Sequence, residues 1–167
     1  MIDPYFFKWD QIGFPKNLHS IVIPENIKVY MLSSSSSKSD IFLYCDRAEF
    51  SLSSARDDTD VIRLFTQLAS KLEQCLIVNE MFDFYDSSEL HRAHVTKLDG
   101  KDIPIYRIRK AGIRLYLVFT GNLIILFRLA PKRKDKIDNS EKVIIDERVK
   151  AIFKYPIESN DFLVRLL

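Results

Sequence analysis

From Ile103 onward the hydrophobic pattern switches to a period of two, and that switch limits what the C-terminal half can form. Residues 103–109, 113–120 and 123–129 read as three strands, separated by the tight-turn signals Ala111-Gly112 and Gly121-Asn122. Strands joined by two residues pair antiparallel, so the three form a meander. With Ala111-Gly112 as the loop, Lys110 lies opposite Ile113, Arg109 opposite Arg114, Ile108 opposite Leu115, Arg107 opposite Tyr116 and Tyr106 opposite Leu117. Side chains alternate across a sheet. One face therefore carries Tyr106, Ile108, Leu115 and Leu117, which is a core face. The other carries Arg107, Arg109, Arg114 and Tyr116.

Like charges directly opposite each other destabilise a pair by about 0.2–1 kcal/mol. No acid lies in 103–109 or 113–120 to offset this. Such a face is either solvated, its arginines diverging into water, or built for an anion. Guanidinium forks match phosphate in two-point contact, and a tyrosine beside them can stack on a base. A basic loop, Lys132-Arg133-Lys134-Asp135-Lys136, follows the third strand. Residues 97–136 hold eleven Lys and Arg against three acids, a net +8, while 1–96 carry −5 and 137–167 carry −1. This segregation, hidden in a whole-chain charge of +2, points to an anionic partner for one face.

The remainder reads as one α+β domain of 167 residues with an N-terminal extension, 1–46, and a core, 47–167. Asp57-Asp58-Thr59-Asp60 supplies N-cap and first-turn acids, and Val61, Leu64, Phe65, Leu68, Leu72, Cys75 and Leu76 form a stripe at helical spacing. The spacing predicts a helix over about 59–78, packed on the Tyr106/Ile108/Leu115/Leu117 face. A second helical stretch is expected over 80–93, with Met81, Phe82 and Phe84 in the core. A closing helix is expected over 141–154, with Val143, Ile144, Val149, Ile152 and Phe153 as its apolar face and Pro156 as its stop. Upstream, 21–23, 27–32, 41–44 and 49–52 are short strand candidates, 33–37 is a serine-rich loop, and 1–20 is an aromatic-rich arm. Cys45 and Cys75 are isolated and read as reduced thiols. There is no apolar run near the ~20 residues of a membrane span and no signal-peptide pattern. A cytoplasmic protein without membrane contact is expected.

The pattern resembles the RelE/ParE superfamily of bacterial toxins from toxin–antitoxin systems. Lys97-Leu98-Asp99-Gly100 looks like the family's K-L-x-G segment, and Tyr106-Arg107-Ile108-Arg109 like its basic strand. Gly112-Ile113-Arg114-Leu115-Tyr116 is similar to its arginine-bearing strand in compressed form, and Lys132-Arg133-Lys134 to the basic cluster after the last strand. The likeness covers about 97–153, and reaches back to about 48 if 49–52 is the family's first strand and 61–93 its helical pair.

The resemblance implies a RelE-like antiparallel sheet with helices packed on one face. It implies a toxin of a type II system acting as an mRNA interferase, a metal-independent endoribonuclease. Arg107 and Arg109 would hold substrate phosphates, and one of them would assist in activating the 2′-hydroxyl. Arg114 would stabilise the scissile phosphate, and Arg133 would steady or protonate the leaving 5′-oxygen. Lys110, Tyr116, Lys132, Lys134 and Lys136 would bind RNA. No metal or cofactor is expected; the partners would be a cognate antitoxin, mRNA and, as a candidate, the ribosome. The chain departs from the family after the basic cluster, where Lys136-Ile137-Asp138-Asn139 offers no tyrosine or histidine. His91 and His94 can replace it only if their segment folds over the sheet. The departure leaves open a same-fold toxin that inhibits a protein such as DNA gyrase, and a non-catalytic RNA- or partner-binding module.

Overall fold

A computed structural model describes residues 4–8, 23–48, 55–110, 112–131 and 137–154. They form an α+β fold around one six-stranded sheet, ordered β1-β2-β6-β5-β4-β3. The strands are β1 (Tyr5–Lys8), β2 (Lys28–Ser33), β3 (Leu90–Leu98), β4 (Lys101–Lys110), β5 (Ile113–Thr120) and β6 (Leu123–Pro131); the helices are α1 (Phe42–Ala48), α2 (Ala55–Leu72) and α3 (Asn139–Ile152).

The β4–β5 register is the one that the Ala111-Gly112 turn requires, from Tyr106 opposite Leu117 to Lys110 opposite Ile113. β6 completes the meander, and β3 extends it by an antiparallel hairpin. Asp99 and Gly100 both have positive φ at the β3–β4 turn, a conformation that Asp-Gly tolerates and that matches strand twist. On one face, Val61, Leu64, Phe65, Leu68 and Leu72 of α2 pack with Ile108, Leu115, Leu117 and Leu126. Tyr106 joins Phe82 and Phe119 there at ring separations of 4.9–6.0 Å.

The sheet is not wholly antiparallel, nor is it covered on one face only. β2 runs parallel to β6, because α1, α2 and the meander carry the chain across before it returns. The second face bears its own apolar layer, Tyr30, Leu32, Ile105, Val118, Ile125 and Phe127, which Ile145, Val149 and Ile152 of α3 cover. The arginine-bearing face is thus cationic only toward the β4–β5 turn and apolar beyond it. An apolar sheet face needs a covering layer, and α3 is that layer.

Other differences are local. The 41–44 segment enters α1; its short apolar run carries no period to tell strand from helix. α2 ends at Leu72, and the carbonyls of Cys75 and Leu76 beyond it accept from the Asn26 amide at 3.4 and 2.8 Å. Over 80–93 there is a short 3₁₀ turn, Val78–Asp83, and then β3; Asp86 diverts the backbone by accepting from Ser88 N at 2.8 Å. Met81 is nonetheless fully buried. In α3 the buried stripe is Ile145, Val149 and Ile152, while Val143 is 64% exposed. The 1–20 arm contributes β1 on the β2 edge; the 49–52 candidate and most of 21–23 lie outside the described residues. Among the described residues no helix is long and apolar enough to cross a membrane.

Candidate functional site

The cationic cluster gathers where the β4–β5 turn, the start of β3 and the end of β6 meet. β4 and β5 place Arg109 opposite Arg114 and Arg107 opposite Tyr116. β3 then places His91 opposite Arg107, and Arg107 Nη2 donates to His91 Nε2 at 3.0 Å. Arg107 and Arg114 are buried, whereas Arg109, Lys110 and His91 are half-buried. The deep pair forms the floor of the cluster, and Arg109 and His91 its rim; Lys110 alternates onto the α2 face.

Electrostatics within it are repulsive. Burial, then the Arg114 charge, holds the Arg107 guanidinium below its ordinary value. Burial, then the Arg107 charge, depresses the His91 imidazole; a backbone hydrogen bond at Ser87 opposes this, and Arg109 and Arg114 add to it. His91 is therefore a neutral ring among cations. Among the described residues, the side-chain hydrogen-bond partner of Arg107 is this ring and not a carboxylate.

The nearby carboxylates serve two other arginines. Arg128 binds Asp46 at 2.6 Å and both oxygens of Glu141 at 2.7 and 2.9 Å. Arg148 reaches the same Asp46 at 2.6 and 2.8 Å, and Leu129 N donates to it at 2.9 Å. Burial works against the Arg128 charge, but Glu141 and Asp46 outweigh it and hold that guanidinium above its ordinary value. This network ties α1, β6 and α3 together beside the cluster.

Two β-bulges decide which polar side chains share the face. Strict alternation would put His91 and His94 on opposite sides. The register skips between Arg92 and His94, so both face α3, where His94 and Thr96 bind Asp146 Oδ1 at 2.9 and 2.6 Å. A skip in β6 opposite Tyr116 and Leu117 likewise brings Arg128 to the α3 side with Phe127.

Of the residues expected to act, Arg107, Arg109, Arg114 and Tyr116 share one face; Lys110, opposite Ile113, alternates onto the α2 face, and Lys132, Arg133, Lys134 and Lys136 lie outside the described residues. Tyr116 is fully buried. A ring without exposed surface cannot stack on a base, so it forms part of the floor instead. Its hydroxyl lies toward Arg107 without a well-formed hydrogen bond among the described residues. Burial, then Glu141, pushes its pKa above the ordinary phenol value and keeps it a neutral phenol. The sequence reading left His91 conditional and passed over Asp46, Glu141 and Arg148. A lone acid in a helix gives no sign of a partner about a hundred residues away.

Compared with protein-family models, with curated proteins and with solved structures, the chain matches none of them.

Proposed function

We propose that the chain binds RNA at this cluster and cleaves it as a toxin-type endoribonuclease resembling the RelE/ParE superfamily. The observation that carries the reading is the convergence of Arg107, Arg109 and Arg114 at one end of the sheet, while Asp46 and Glu141 are held by Arg128 and Arg148. The half-buried Arg109 meets a phosphate first, and the floor arginines add charge behind it. Fixed guanidinium groups stabilise the charge that builds on a phosphate attacked by its own 2′-hydroxyl. The element order is in keeping with the resemblance: two helices, a meander and a closing helix follow one another along the chain. The partners would be mRNA, with the ribosome as a candidate, and an acidic antitoxin that silences the cationic face.

Induced expression in bacteria tests this, with growth followed and mRNA ends mapped by primer extension. Arrest with new mRNA ends is expected, and neither with Arg114→Ala. Normal growth and unchanged ends at high expression would remove the ribonuclease reading. The burial of Arg107 and Arg114 favours a second reading, a non-catalytic RNA- or partner-binding module. It predicts salt-dependent RNA binding without cleavage.

A further inference from the structure

We propose that His91 is the general base of this site, its Nε2 taking the proton of the attacking 2′-hydroxyl; the inference rests on the ribonuclease reading. The geometry comes from the hydrogen bond to Arg107. A guanidinium can only donate, so at the 3.0 Å contact His91 Nε2 must be the acceptor. The neutral ring then carries its proton on Nδ1, and its lone pair points into the arginine cluster. A general base needs an unprotonated atom aimed at the reacting centre, held in one tautomer.

The surroundings keep the ring neutral. Facing it are Arg107 and Arg109 from β4 and Arg114 and Tyr116 from β5. Of the α3 carboxylates, Glu141 is engaged by Arg128 and Asp146 by His94 and Thr96, while Glu147 is exposed. Glu89, just before His91, accepts from Gln67 of α2 at 3.4 Å. β3 is an edge strand of the described sheet, and His91 keeps part of its surface open.

Substrate arrival converts the contact into a base. Arg107 turns its Nη2 to a phosphate oxygen, which is a better acceptor than a neutral nitrogen, and so releases Nε2. The 2′-oxygen forms its bond to phosphorus as its proton passes to Nε2. The bond from phosphorus to the 5′-oxygen breaks, and that oxygen takes a proton from water. The products are a 2′,3′-cyclic phosphate and a 5′-hydroxyl, and His91 loses its added proton to solvent. No oxidant or other co-reactant is needed.

The test compares the full-length parent, His91→Gln, His91→Ala and Arg107→Ala. The probe is an oligoribonucleotide spanning a cleavage point mapped by primer extension, given free and on programmed ribosomes. A copy with 2′-deoxyribose at that point measures binding. Glutamine keeps an acceptor for Arg107 but cannot take a proton. His91→Gln is expected to bind within about threefold of the parent and to cleave on the order of 10²–10⁴-fold more slowly. The parent rate should rise with pH and level off below 6.5, the ordinary histidine value; this acid limb should vanish in His91→Gln. Imidazole should restore part of the rate of His91→Ala. Cleavage by His91→Gln within about threefold of the parent, with the acid limb intact, overturns the inference and leaves the ribonuclease reading standing. So does a rate loss matched by lost affinity or by unfolding of both His91 variants, which makes His91 a structural partner of Arg107. A parent that cleaves neither substrate form sinks the ribonuclease reading, and the His91 inference falls with it.

Discussion

Arg114 sits on a strand that is paired on both sides. Its strand pairs with β4 through Arg109 and with β6 through Ala130, and the side chain is buried. A guanidinium so fixed needs little reorganisation as charge develops. Arg114→Ala is therefore expected to slow RNA cleavage by on the order of 10²–10³ while folding persists. Arg114→Lys should recover little of this, since a point charge cannot replace a two-point fork. Matched expression, circular dichroism and cleavage assays check both. Cleavage by Arg114→Ala at the parent rate would remove charge stabilisation from Arg114. At the same scale, His91 makes a pH prediction about stability. Its folded value is lowered, so between that value and 6.5 the unfolded chain binds the extra proton and the folded chain does not. Stability then rises with pH across that window and is lost as pH falls through it. Urea midpoints between pH 7.5 and 5.5 should drop more for the parent than for His91→Gln; equal slopes would show that the ring is not held neutral by the fold.

At the scale of elements, the β4–β5 hairpin was legible because two-residue turns leave one register, and any slip would bury Arg107 and Arg109 against α2. The α2 stripe was legible for the same kind of reason, its apolar residues recurring at helical spacing into one core. The bulges beside Ala93 and Phe127 were not. A bulge inserts one residue against the alternation, and nothing in His91-Arg92-Ala93-His94 announces it. So the face shared by His91, His94 and Arg128 had to be seen. Nor was the network at Asp46 readable, since it joins α1, β6 and α3 across 82 to 102 residues. Its energetics give a sharp expectation. Asp46 has no exposed side-chain surface, and removing it takes the carboxylate from the half-buried Arg148 and leaves the buried Arg128 with Glu141 alone. Breaking a buried pair from one side typically costs about 3–5 kcal/mol. Asp46→Ala should lower the urea midpoint accordingly, and adding Arg148→Ala should cost less than the sum of the two single changes. Strict additivity would mean that the two side chains do not share a network.

On the scale of the whole molecule, charge and architecture make separate predictions. RNA affinity should fall steeply with salt, because each phosphate neutralised releases a counterion. Removing Lys132 and Lys134 should flatten that slope by roughly one to two units for all sequences alike; affinity insensitive to salt would exclude a phosphate-binding face. The last prediction concerns residues 1–46. The −5 of residues 1–96, set against the +8 of 97–136, motivates a cover for the basic face within the chain itself; if 1–46 are that cover, deleting them would raise toxicity. The architecture argues otherwise. β2 pairs with β6, and its residues enter both cores, Val29 and Met31 on the α2 side and Tyr30 and Leu32 on the α3 side. Deletion exposes the hydrogen-bonding edge of β6, which invites edge-to-edge association. It also removes Asp46, leaving Arg128 and Arg148 without the carboxylate that they share. Together these losses rival the 5–15 kcal/mol that typically keeps a domain folded. The truncated chain 47–167 is therefore expected to be insoluble, or to unfold without a cooperative transition. Circular dichroism with a urea titration decides: a cooperatively folded 47–167 that arrests growth more strongly than the full chain would show that the segment is a cover rather than part of the sheet.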